Sequence, residues 1–182
     1  MREVASAARI REFMRRLGRS APRPLSVFFT GGTSAVLTGW RETTVDIDLR
    51  MEPDDDDVLR AMVRLKTELD MNVELASPQD FIPPLPRWRE RSRLIAREGA
   101  LTFFHYDFYA QDNFYAQALA KIERGHSKDL LDVGEMLARG LVERAELSRL
   151  FDAIRPDLFR YPAIDQAQFA ARVEDWLASS RR

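Results

Sequence analysis

The sequence predicts an α/β (α+β) protein, with a mixed β-sheet flanked by helices and a helical C-terminal part. Segments with helix-like and strand-like apolar spacing alternate from residue 4 to residue 76. A run with the pattern of a β-hairpin follows at 93–109, and from about Phe114 onward only helical spacing remains. We therefore expect an α/β core over 1–112 and a helical part over 113–182, packed on the core as one compact unit.

The first elements are expected to be a helix, a strand and a short helix. Residues 4–18 predict an amphipathic helix, because apolar side chains recur at i, i+3, i+4 and i+7 (Ile10, Phe13, Met14 and Leu17). The segment APRP ends this helix, and the β-rich run 25–30 predicts a strand. Two glycines end that strand, and a short helical segment is expected from Thr33 to about Thr38.

The middle of the chain predicts two further strands around a helix, and then a hairpin. Residues 43–51 alternate as a strand does, and 52–70 carry one helical apolar stripe (Val58, Met62, Leu65 and Leu69). Residues 71–76 predict the next strand. A proline-rich connector at 77–88 leads to the hairpin, whose turn is expected at Glu98-Gly99.

The last third of the sequence predicts helices only. Glycines and a proline-containing segment divide it into four periodic stretches: 114–124, 127–138, 143–154 and 166–178. This helical part carries no motif typical of a known recognition module.

Composition excludes several classes of function. The chain has no cysteine, which excludes disulfides, thiolate nucleophiles and zinc–thiolate sites and fits a reducing cytoplasm. Its net charge of −1 gives no global basic field for nucleic acid or an anionic membrane. No apolar run approaches the ~20 residues of a membrane span. The first 18 residues lack an apolar core and carry acids, so we expect no export or transit signal.

Two neighbouring patterns point to a nucleotide site. Asp46 and Asp48 are two residues apart in a predicted strand, so they share one face about 6.5–7 Å apart, and a divalent ion such as Mg²⁺ would relieve their repulsion. Gly31 and Gly32 lie between a strand and a helix, where free N–H groups favour an anion and Thr33 or Ser34 can add a hydroxyl. Each pattern alone is more often structural than catalytic, but the combination favours a nucleotide site.

Other polar clusters have simpler interpretations. The acidic run at 53–57 is expected to cap a helix N-terminus, where acids interact favourably with the helix dipole. His105 and His126 lie far apart without metal-ligand spacing, so structural or capping roles are expected. From the residues alone, Lys121 could be an exposed helix lysine. Likewise, Asp129 and Asp132 could pair with Lys128 or Arg124.

The stretch GGTSAVLTGWRETTVDID resembles the signature of the nucleotidyltransferase superfamily, which has the polymerase-beta-like fold. Within that superfamily it is most similar to the abortive-infection (AbiEii-type) toxin nucleotidyltransferases and their bacterial relatives. The resemblance implies that Gly31, Gly32, Thr33 and Ser34 bind the triphosphate, and that Arg41 lies near the phosphates.

The same resemblance implies a set of metal ligands. Asp46 and Asp48 would hold Mg²⁺ or Mn²⁺. Glu74 falls where minimal members place a third carboxylate, although they more often have Asp there, and it would be a ligand or general base. Asp107 is a second candidate for that third carboxylate.

A second segment, ALAKIERGHSKDLLDV, resembles the family's downstream half-signature. Lys121 would match the helix lysine that reaches the nucleotide phosphates. Asp129 and Asp132 would match the K-D-x-x-D pair, and at i and i+3 they share a helix face. The resemblance covers residues 25–50 and 114–137, whereas 77–113 match no motif.

The resemblance implies an enzyme that moves NMP from an NTP to a hydroxyl on an RNA (tRNA), a protein or a small molecule. The resemblance also implies a toxin–antitoxin or phage-defence role, with a cognate toxin or antitoxin protein as partner. No membrane is expected among the partners. The alternative is a non-catalytic antitoxin or regulatory protein on the same fold, which binds a nucleotide or a partner. Retention of G-G-T, D-x-D and a third carboxylate favours the enzyme.

Overall fold

The structure is a computed structural model that describes residues 3–108 and 114–179. The chain divides into two compact units. The first comprises Met1–Ser77 and Ser92–Tyr106, and the second comprises Pro78–Arg91 and Asp107–Arg182. The expected boundary between 112 and 113 lies outside the described residues, and the packing of the helical part on the core stays a prediction.

The first unit contains a mixed five-stranded sheet, as the sequence predicts. Its strands are β2 (Leu25–Phe29), β4 (Asp46–Glu52), β5 (Asn72–Leu75), β6 (Arg93–Glu98) and β7 (Leu101–His105). Their order in the sheet is β5-β4-β2-β7-β6, with β2 antiparallel to β4 and parallel to β7, and with β4 parallel to β5. The β6–β7 hairpin has its predicted turn, and a bulge shifts its register between Leu94 and Ala96.

One face of the sheet forms the core with two helices, α1 (Ala7–Ser20) and α3 (Asp56–Glu68). Strand β4 alternates between partly exposed and buried residues along its length, and Ile47 and Leu49 are fully buried. The predicted apolar stripes of α1 and α3 are buried against these strands. The even-numbered residues of β4 therefore lie on the opposite face.

Three predicted segments differ in detail. Residues 43–51 are not one strand: β3 (Thr43–Thr44) pairs with β1 (Ala5–Ser6), Val45 is exposed, and β4 begins at Asp46. The first helix accordingly begins at Ala7, since Ser6 takes the N-cap position and accepts a bond from the Arg9 N–H. The short helix α2 (Gly31–Leu37) begins two residues earlier than predicted.

The acidic run 53–57 caps α3, as predicted. The Asp55 carboxylate accepts hydrogen bonds from the N–H groups of Asp57 and Val58. The Val58 N–H and the Arg23 guanidinium lower the pKa of Asp55. This run is thus a helix terminus in the structure.

The second unit is helical, and its four predicted helices are confirmed. Its elements are α4 (Trp88–Arg91), α5 (Tyr115–Arg124), α6 (Ser127–Ala138), α7 (Arg144–Ile154) and α8 (Gln166–Ser179), with 3₁₀ turns at Pro78–Asp80 and Arg155–Arg160. Its core includes edge-to-face aromatic pairs, such as Phe151 and Phe169 with ring centroids 4.9 Å apart. Across the described parts of both units, every helix is too short or too polar to cross a bilayer.

Candidate functional site

Three carboxylates share the face of the sheet opposite the α1–α3 core. Asp46 and Asp48 begin β4, and the buried Ile47 between them confirms that they lie on the same side. Strand β5 pairs with β4 in a register that places Glu74 directly beside Asp48. Glu74 is therefore the third carboxylate that the structure brings to this pair. We call Asp46, Asp48 and Glu74 the carboxylate face.

Asn72 bridges two members of the carboxylate face, and sequence reasoning missed it. In the β4–β5 register it lies beside Asp46. Its Nδ2 donates hydrogen bonds to Asp46 Oδ1 at 2.5 Å and to Glu74 Oε1 at 2.8 Å. Because both neighbours are acceptors when ionised, the NH₂ group must face them. Among the described residues, this amide is the only hydrogen-bond donor to either side chain, and neither has an ion-pair partner.

The glycine turn lies against the carboxylate face. Gly31 has a φ of +53°, and a Cβ added there would lie 2.8 Å from Asp48 Oδ2. A Cβ on Gly32 would lie 2.2 Å from Thr44 Oγ1, which is closer than atoms approach. Both glycines are therefore needed for the first turn of α2 to pack against Asp48 and the β3 segment.

The hydroxyl groups of Thr33 and Ser34 are bonded within the fold. Thr33 Oγ1 accepts a bond from the Asp48 N–H at 3.1 Å and donates to the Asp46 carbonyl at 3.4 Å, so it joins α2 to β4. Ser34 Oγ donates to the Phe29 carbonyl at 3.0 Å. Both residues are fully buried. Their observed contacts place the carboxylate face, and the expected phosphate contacts stay a prediction.

Ser34 also contacts His105, the buried last residue of β7. His105 Nδ1 lies 3.0 Å from Ser34 Oγ, whose only hydrogen is used by the Phe29 carbonyl, so Nδ1 must carry the proton. Burial, with a smaller contribution from Arg93, lowers the pKa of His105 to about 4. The ring is thus neutral at pH 7 and is a structural donor, as the sequence predicts.

Arg41 lies in the exposed segment between α2 and β3. Its guanidinium carbon is 5.3 Å from the centre of the Trp40 ring, within the range of a cation–π contact. Its N–H donates to the Ala35 carbonyl at the end of α2 at 3.1 Å. Its expected place near phosphates stays a prediction.

Asp107 belongs to the second unit and is paired. It is 3% exposed, and Arg91 Nε donates to its Oδ1 at 2.5 Å. Burial raises the pKa of Asp107, and the hydrogen bond from Arg91 opposes that shift. The structure thus gives Asp107 a buried arginine as partner, whereas Glu74 lies beside Asp48.

The downstream residues form an ion cluster between α5 and α6. Lys121 Nζ donates to Asp129 Oδ1 at 2.9 Å and to Asp132 Oδ2 at 2.7 Å, and Arg124 donates to both oxygens of Asp129. Burial would raise the pKa of Asp129, but the bonds from Arg124 and Lys121 outweigh it and lower the pKa to about 2. Pairing with Arg124, one of the alternatives open from the sequence, is therefore confirmed.

The carboxylate face offers the donors that a hard divalent ion prefers. Carboxylate and amide oxygens suit Mg²⁺, and Asp46 and Glu74 both reach one nitrogen of Asn72. In the arrangement described, no group of three or more acidic or histidine side chains within 3–108 and 114–179 is close enough to hold a metal. The donor set fits the ion, and the amide bridge is the contact that would have to yield to it.

Comparison with known proteins gives no family for this chain. No protein-family model, curated protein or solved structure matches it. The functional argument therefore depends on the chain's own residues and their geometry.

Proposed function

We propose that this protein is a Mg²⁺- or Mn²⁺-dependent nucleotidyltransferase that moves NMP from an NTP to a hydroxyl group. One observation carries the proposal: the β4–β5 register sets Glu74 beside Asp48, with Asp46 on the same face. Asp46 and Glu74 have only a neutral amide as donor, so their negative charge is not cancelled within the described residues. A cluster of this kind favours a cation and its phosphate ligands.

The chain's own residues would divide the work as follows. Asp46 and Asp48 would hold the divalent ion, which would supply positive charge to neutralise the phosphates. Glu74 would be a further ligand of that ion or would accept the proton of the attacking hydroxyl. Gly31 and Gly32 let the first turn of α2 lie directly against Asp48 and Thr44, and their expected contact with the triphosphate stays a prediction. The acceptor oxygen forms a bond to the α-phosphorus of the NTP. The bond between that phosphorus and the bridging oxygen to the β-phosphate breaks, and pyrophosphate leaves.

The downstream ion cluster is not needed for this proposal. Lys121 is held by two aspartates in the second unit, where the charges of Lys121, Arg124, Asp129 and Asp132 cancel. Its expected role at the nucleotide phosphates stays a prediction. The acceptor class (tRNA, another RNA, a protein or a small molecule) and a toxin or antitoxin partner are likewise proposals.

A non-catalytic protein is the second candidate. Asn72 donates to both Asp46 and Glu74, and these contacts satisfy part of the hydrogen-bonding capacity of the two carboxylates within the fold. Such a protein would bind its partner whether or not Asp46 is a carboxylate.

The test is thermal unfolding with each of the four NTPs, with and without Mg²⁺, in the wild type and in Asp46→Asn/Asp48→Asn. A ligand at about 100 times its Kd adds about 2.7 kcal/mol of stability. The control is Asp54→Asn/Asp56→Asn, which removes two exposed charges from the same unit. We expect a Mg²⁺-dependent shift in the wild type and control only, followed by transfer of labelled NMP to an acceptor in cell extract. A shift that the double variant retains would reject the enzyme in favour of the binding protein.

A further inference from the structure

Arg50 lies on the same sheet face as the carboxylate face. Strand β4 presents its even-numbered residues to that side, so Arg50 follows Asp48 at a spacing of about 6.5–7 Å. Its side chain is 34% exposed, so solvent reaches it from the sheet surface. No role was predicted for it from the sequence, although the same alternation that pairs Asp46 with Asp48 includes it.

The guanidinium of Arg50 is held by one edge only. Its Nε lies 3.2 Å from Glu52 Oε1, the next residue on the same face. This is its only polar contact among the described residues, so both terminal nitrogens remain available. A bond through Nε fixes the plane of the group and leaves the two terminal nitrogens to bind a ligand.

The β2 neighbours of Arg50 supply no anion. Across the β2–β4 ladder it pairs with Phe28, which is buried and stacked on Phe104 with ring centroids 5.2 Å apart. The uncharged Ser26 lies opposite Glu52. Arg50 is thus a cation between an apolar pair and the carboxylates, with donors that the protein does not use.

We propose that Arg50 is a phosphate-binding subsite beside the carboxylate face. This inference rests on the proposed function, in which the carboxylates and their ion hold one phosphate and a second anionic group lies nearby. Terminal guanidinium nitrogens bind phosphate oxygens in pairs with defined direction. The phosphate belongs either to the nucleotide's triphosphate or to the backbone of a nucleic-acid acceptor, and the chemistry that Arg50 supplies is the same.

The test is binding, by calorimetry with Mg²⁺ present, of inorganic tripolyphosphate and of a single-stranded oligoadenylate. Arg50→Gln should bind at least one of them about 10-fold to 100-fold more weakly than the wild type. Arg50→Lys should lose less, since it keeps the charge without the paired donors. The control is Arg15→Gln, because Arg15 is likewise paired with a single glutamate, through Nε and one terminal nitrogen, but lies on α1.

The pattern of loss separates the possible outcomes. If Arg50→Gln weakens the binding of tripolyphosphate alone, the subsite binds the triphosphate of the nucleotide. If it weakens the binding of oligoadenylate alone, the subsite binds the backbone of a nucleic-acid acceptor. Unchanged binding of both ligands by Arg50→Gln, or no binding of either ligand by the wild type, overturns the subsite.

The variant Asp46→Asn/Asp48→Asn tests the underlying function separately. If this variant binds both ligands normally while Arg50→Gln does not, the subsite stands and the metal-dependent function fails. If Arg50→Gln binds normally while the double variant does not, the proposed function stands and the subsite is rejected.

Discussion

The carboxylate face of the first unit and the ion cluster of the second use aspartates in opposite ways. Between α5 and α6, Asp129 and Asp132 receive bonds from Lys121, and Arg124 adds two more to Asp129. On the sheet, Asp46 and Glu74 share the amide of Asn72 and have no ion-pair partner in the described chain. Carboxylates neutralised in place stabilise a fold, whereas carboxylates held by a neutral donor keep their charge for a ligand. The comparison sets two ion-paired aspartates in the second unit against carboxylates on the sheet that share a neutral donor.

The largest expected effect comes from the most enclosed ion pair, Arg91–Asp107 in the second unit. Asp107→Ala would leave the Arg91 side chain, 15% exposed, as an uncompensated charge. We expect the free energy of unfolding to fall by about 3–5 kcal/mol, measured with denaturant. Asp107→Asn keeps an acceptor and should lose less. A loss below about 1 kcal/mol would show that the pair behaves like an exposed one.

His105 gives the next largest effect, and it depends on pH. Its folded pKa of about 4 is below its ordinary value of 6.5, so protonation favours the unfolded chain. The stabilising contribution is complete above pH 6.5 and is lost as the pH falls toward 4, by about 3 kcal/mol in all. Denaturant unfolding at each pH measures it. His105→Asn, which can still donate to Ser34, should remove this slope; an unchanged slope would assign it to other groups.

Asp129 has a smaller effect over a lower pH range. Its folded pKa of about 2 lies below the ordinary 3.8, so its contribution is present above pH 3.8 and is lost as the pH falls toward 2. Allowing for screening by solvent, Asp129→Asn should lower the free energy of unfolding at pH 7 by about 1–2 kcal/mol. It should also flatten the acid limb of stability against pH. If Asp129→Asn leaves the free energy of unfolding at pH 7 unchanged, the ion cluster does not stabilise the fold.

Asp46→Asn should have the smallest effect on stability. The amide oxygen can still accept the bond from Asn72, and the like charges of Asp48 and Glu74 lose a neighbour. We expect the free energy of unfolding to change by less than about 0.5 kcal/mol or to rise slightly, in the same denaturant assay. A loss above about 1 kcal/mol would show that Asp46 contributes to folding stability as much as Asp129 is expected to.

Patterns within one segment could be predicted from the sequence, whereas contacts between strands could not. The alternation in VDIDLR correctly places Asp46 and Asp48 on one face, and helical spacing places Asp129 and Asp132. The bridge by Asn72 depends on β5 lying beside β4, and local periodicity does not say which strand is the neighbour.

Asp107 shows the same limit. The hairpin and its turn were predictable, but Arg91 and Asp107 lie just outside it, at the end of α4 and after β7. Their hydrogen bond depends on how these two flanking segments pack, which local periodicity does not show. A buried ion pair is therefore hidden in a sequence that also makes Asp107 a candidate ligand. Likewise, the bonds of the Thr33 hydroxyl to β4 and of the Ser34 hydroxyl to the Phe29 carbonyl of β2 depend on how α2 packs on the sheet.

The tight packing of Gly31 on Asp48 also constrains how this protein can evolve. A methyl group at position 31 would meet the Asp48 carboxylate at 2.8 Å, on a backbone whose φ of +53° already disfavours any side chain. The two positions are therefore not independent. Replacing Gly31 would require both a different backbone conformation at 31 and a displaced carboxylate at 48. Related sequences that keep Asp48 are therefore expected to keep Gly31 as well.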